Sequence, residues 1–78
     1  MLIQPVTYFV IRIGDRWSVT CSLDGEGPDD HPDRRSALVS AENLALRMWL
    51  QRSIASRVMV NEDDERWHTV VEFGQLLG

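Results

Sequence analysis

His31 stands among five carboxylates, Asp24, Glu26, Asp29, Asp30 and Asp33, in the stretch "DGEGPDDHPD". Imidazole and carboxylate groups are ligands for zinc, iron and calcium, so metal binding is the first chemistry to test. A calcium loop needs alternating oxygen ligands, a glycine at a fixed turn position and a terminal bidentate acid. The stretch departs from that pattern, and Pro28 and Pro32 do not supply the missing geometry. A solvated acidic loop is expected, with no metal and no cofactor. His68 directly follows Trp67 and is expected at the surface, because sequence assigns it neither a nucleophile nor a third, orienting group. Cys21 is the single cysteine, which excludes an internal disulfide and a site built from several thiolates. Its expected role is that of a small buried hydrophobe, since reactivity requires local stabilisation of the thiolate. Paired acid and base catalysis by Glu42, Glu72 or the clustered acids would need carboxyl groups held at a controlled separation with unequal protonation. The "GEG" at 25–27 lacks the strand and helix context of a phosphate-binding loop. The chain is therefore expected not to be an enzyme.

Twelve acidic and eight basic side chains give a formal charge of -4, and every basic residue is arginine. A negative mean field disfavours non-specific attraction to nucleic acid or anionic lipid. A local basic face of Arg47, Arg52 and Arg57 still offers an RNA-binding reading, with aromatic side chains available for base stacking. The acids gather at 24–33 and 62–65, as connections between packed elements do. The N-terminal stretch lacks a basic signal-peptide region, and no run approaches the roughly 20 apolar residues that span a bilayer. With one cysteine and no disulfide framework, a cytoplasmic setting and no membrane partner are expected.

The elements that must position these residues follow from periodicity. Phe9, Ile11 and Ile13 alternate with other residues before "GDRW", and Trp17, Val19 and Cys21 do so after it. A hairpin that pairs Ile13 with Trp17, Ile11 with Val19 and Phe9 with Cys21 keeps both rows on one face across a three-residue connection, Gly14 to Arg16. Residues 24–34 are expected as an acidic, Gly- and Pro-containing loop without a regular element. A helix is predicted over about 36–53, capped by Ser36 or, in a later-starting version, by Ser40. Ala37, Ala41, Leu44, Ala45 and Met48 share one helical face, flanked by Leu38 and Trp49, and the three alanines permit close approach to a sheet. Val39, Leu46 and Leu50, with Ile54 just past the end, form a second apolar row nearly opposite. One sheet cannot cover both rows. The second must meet another part of the chain, a partner or a second copy.

After the helix, Val58 and Val60 precede "EDDERW", and Trp67, Thr69, Val71 and Phe73 alternate beyond it. Placing Val60 opposite Trp67 and Val58 opposite Thr69 puts Asp63 and Asp64 at the centre of the turn. The whole chain, 1–78, is then one small α+β domain of order β-β-α-β-β, with a single helix on a mainly antiparallel sheet. "GDRW" and "DERW" mark two hairpins, each returning to the core through a tryptophan. The final "GQLLG" either frays or adds Leu76 and Leu77 to an interface.

Asp15-Arg16-Trp17-Ser18-Val19, the spaced Ala37, Ala41 and Ala45, and Val58 to Val60 followed by Asp63, Asp64 and Arg66 resemble a group of short bacterial ββαββ domains without assigned biochemistry. "YFVIRIGDRWSV" at 8–19 and "ENLALRMWL" at 42–50 also look like the hairpin and helix of HicB-type antitoxins, a resemblance that implies a partner toxin ribonuclease. The expected function is that of a small bacterial, non-enzymatic protein-interaction or accessory domain that self-associates as a homodimer. An antitoxin-like inhibitor and an RNA-binding module are the alternatives. The candidate interface residues are Val39, Leu46, Trp49, Leu50 and Ile54.

Overall fold

The computed structural model describes residues 5–23, 29–61 and 66–74. One helix lies across a five-stranded, mostly antiparallel open sheet, an α+β arrangement as the periodicity implies. The strands are β1 (Val6–Ile13), β2 (Arg16–Cys21), β3 (Asp29–His31), β4 (Ser56–Asn61) and β5 (His68–Phe73), in the order β3-β2-β1-β4-β5. The helix, α1 (Arg34–Arg52), runs between β3 and β4. Only the β1–β4 seam is parallel among the described pairings.

The first hairpin corrects the expected register. Ile13 pairs with Arg16, Arg12 with Trp17 and Val10 with Val19, so the connection is the two residues Gly14 and Asp15. A two-residue hairpin loop needs positive φ, and Gly14 supplies it at +65° without a side-chain penalty. Shortening the loop by one residue reverses the parity of β1. Val6, Tyr8 and Val10 turn toward the helix together with Trp17 and Val19, while Phe9, Ile11 and Ile13 occupy the other face.

The expected loop at 24–34 also needs correction. Asp29–His31 forms a three-residue edge strand against β2, pairing Trp17 with His31 and Val19 with Asp29. The helix then starts two residues earlier than predicted. Asp33, not Ser36 or Ser40, is its N-cap: the Asp33 carboxylate accepts from the Ser36 backbone N–H at 2.7 Å. At the other end Ser53 adopts the left-handed conformation (φ 55°), and its N–H reaches the Trp49 carbonyl.

The helix meets the sheet through Ala37, Ala41 and Ala45, all fully buried. Small side chains let the backbones approach, and the Val10, Val19, Val58 and Val60 side chains fill the layer between them. Leu38, Leu44, Met48, Ile54 and Cys21 close its margins, so Cys21 is half-buried rather than central. Ser56, buried in the same layer, donates its hydroxyl to the Ala45 carbonyl at 2.5 Å and joins β4 to the helix backbone.

The last hairpin shifts register at a bulge between Val58 and Met59: Val60 pairs with His68, Met59 with Thr69, and Val58 with Val71. The expected Val60–Trp67 and Val58–Thr69 pairs are thereby replaced. A bulge places an extra residue on one strand and splits its alternating row. Val71 and Phe73 pack toward the helix, whereas Thr69 shares the opposite face with Met59. The expected turn centre, Asp63 and Asp64, the loop acids Asp24 and Glu26, and Leu76 and Leu77 lie outside the described residues.

Candidate functional site

The outer side of the helix carries the predicted second row. Val39, Leu46 and Leu50 are exposed, Leu50 most of all at 69%. Trp49 is also exposed at one edge, while its ring lies over Gly74 at the end of β5. Gly74 has φ +71°, and a Cβ there would collide with the indole, so glycine is required both by backbone angle and by the neighbouring ring. Ile54 stands apart from the row: it is half-buried and packs against the core.

A second apolar surface, not anticipated from the sequence, is the side of the sheet away from the helix. Phe9, Ile11 and Met59 are half-buried there, and Ile13 is 62% exposed. Trp67 is exposed on the same side and meets Phe9 edge-to-face, with ring centroids 5.2 Å apart. Polar groups border this surface. Arg16 pairs with Asp30 at 2.6 Å, and Arg57 Nε donates to Thr7 Oγ1 at 3.0 Å. Thr7 is nearly fully buried, with its backbone N–H donating to Ser22 Oγ.

The three arginines of the RNA-binding reading do not form one face. Arg57 extends from the bare side of β4, whereas Arg47 and Arg52 belong to the helix, five residues and so about 140° apart around its axis. No group of three metal-ligating side chains comes together among the described residues. No helix among them is long and apolar enough to cross a membrane.

His31, however, is not an isolated surface histidine. Asp29 and His31 are two apart on β3, so their side chains leave the strand on the same side. That side faces the first turns of the helix, which begins only three residues after His31. His31 Nε2 lies 2.8 Å from Asp29 Oδ2, and His31 Nδ1 lies 3.0 Å from Ser36 Oγ. Ser40 Oγ donates a longer bond, 3.4 Å, to the same Asp29 oxygen. An ionised carboxylate only accepts, so beside Asp29 a neutral His31 carries its hydrogen on Nε2. The Nδ1 lone pair then faces the Ser36 hydroxyl. The spacing Asp29-x-His31-x4-Ser36 revealed none of this, because it becomes a cluster only if 29–31 is a strand and the helix starts at Arg34.

Ser36 borders an open recess lined by Arg35, Val39, Asn43, Leu44 and Arg47. Compared with known proteins, the chain matches no protein-family model, no curated protein and no solved structure.

Proposed function

We propose that the protein is a small interaction domain that acts by protein contact and associates with itself. One observation carries this reading: the outer row of the helix, Val39, Leu46 and Leu50, remains exposed although the same helix has an alanine face closed against the sheet. Exposed leucines in a small domain favour association because taking the remaining exposed part of each side chain out of water is favourable, up to about 1.5 to 3 kcal/mol for a wholly exposed Leu. Trp49 flanks the row and is the kind of side chain that anchors protein interfaces. Arg35, Glu42 and Asn43 give it a polar margin.

The test is the double substitution L46D/L50D, read by sedimentation velocity over a range of protein concentration. The expected result is loss of association with helix and sheet signals retained, since neither leucine is part of the buried core. Association that persists at matched concentration refutes the helix row as the interface.

A further inference from the structure

We propose that Ser36, His31 and Asp29 form a nucleophilic centre in which Ser36 Oγ accepts an acyl group from a small carboxylic ester. The inference goes beyond self-association and adds chemistry that the sequence did not lead one to expect; because Val39, Arg35 and Asn43 belong both to the recess beside Ser36 and to the self-association face, the centre is open in the dissociated chain and is assayed at dilution.

The geometry supplies three parts. The nucleophile and base are in contact, Ser36 Oγ to His31 Nδ1 at 3.0 Å. The base is oriented by an acceptor-only group, Asp29 Oδ2, 2.8 Å from the other ring nitrogen. The ring itself is held in place between β3 and the helix, with its side chain 15% exposed. Relative to the usual serine–histidine–aspartate arrangement the two ring nitrogens are exchanged, which leaves the roles intact because either nitrogen serves as base when the other carries hydrogen. Ser36 sits in the first turn of the helix. Its own N–H is taken by the Asp33 carboxylate.

In the reaction, Ser36 Oγ bonds to the ester carbonyl carbon as its proton passes to His31 Nδ1. The tetrahedral intermediate collapses, the bond from carbonyl carbon to leaving oxygen breaks, and the leaving oxygen takes the proton from His31. Water then attacks the acyl-serine by the same route, releasing the carboxylic acid and restoring the Ser36 hydroxyl. Asp29 is a positioning residue throughout. Arg35 and Arg47 outnumber the one carboxylate of the recess, Asp33, which is already engaged as the helix cap, and so favour an ester that carries a carboxylate, with Val39 and Leu44 for its apolar part.

The full chain is incubated with 4-acetoxybenzoate and, separately, with its methyl ester. Phenol release is followed, and the acetyl group is located by peptide mass spectrometry. Acetyl on Ser36, with faster turnover of the charged ester, is expected. S36A should fall to the spontaneous rate and H31N by at least about 100-fold. D29N should lower the rate at saturating ester while leaving the half-saturating concentration unchanged, a split that a merely structural clasp would not give. A wild-type rate equal to the spontaneous one, an S36A rate equal to wild type, or acetyl found only at other residues overturns the proposal. Faster reaction of the methyl ester, once each rate is divided by that ester's spontaneous rate, overturns the assignment of Arg35 and Arg47.

Discussion

Val58 and Met59 are neighbours on β4, similar in hydrophobicity, and they point to opposite sides of one sheet. Val58 is fully buried beneath the helix; Met59 lies on the bare side with Phe9, Ile11 and Trp67. The contrast separates two requirements that apolar side chains alone do not meet. A sheet face becomes a core only when another layer approaches it, and approach depends on what the second layer presents. Three alanines bring α1 close to one face, and no described element covers the other.

The largest difference between the two faces is expected when the same charge is put on each neighbour. Val58→Asp buries a carboxylate without a partner, at a cost of several kcal/mol that approaches the whole stability of a small domain. Unfolding by far-ultraviolet circular dichroism is expected, whereas Met59→Asp should keep the native spectrum. A folded Val58→Asp protein would mean that the helix does not seal its face.

A smaller effect tests the spacing of the layers. Ala41→Leu inserts a large side chain where helix and sheet touch and should lower stability by about 1 to 3 kcal/mol in urea unfolding. The same change at Gln51, exposed on the helix, should have less effect. On the bare face, Trp67→Leu removes the edge-to-face contact with Phe9 and should cost about 0.5 to 1.5 kcal/mol in the same measurement. The least change is expected at the helix end, away from both faces. Ser53→Gly relieves a left-handed backbone in a residue with a Cβ, partly offset by greater freedom of the unfolded chain, and should raise the melting temperature by a few degrees at most.

Much of the covered face was legible in the sequence and the bare face was not, for a definite reason. Ala37, Ala41 and Ala45 recur at a helical interval, and their size announces close packing. β1 is apolar at nearly every position from Val6 to Ile13, so alternation fits either parity, and the choice rests on loop length alone. A loop of Gly14 and Asp15 instead of three residues exchanges the faces. β3 escaped notice because aspartates rarely build strands and its three residues carry no periodic signal. With β3 went the His31 cluster, whose members meet only through that strand. The outer helix row needed no tertiary information, since its residues are defined by helical spacing; Ile54, beyond the helix end, did need it.

The parallel seam between β1 and β4 has a consequence in time. Val6 lies beside Ser56, so the central strand must wait for a residue 50 positions along the chain, while its other edge is completed by a two-residue turn. Closing long loops before contacts reward them slows folding. The seam is thus expected to form late, with substitutions in β4 changing mainly the unfolding rate and those in the first hairpin the folding rate, as stopped-flow measurements can check. Until it closes, β1 offers an apolar, unpaired edge to any other strand. The order of assembly, and not only the final surface, makes the middle of this sheet its most vulnerable place for misassociation.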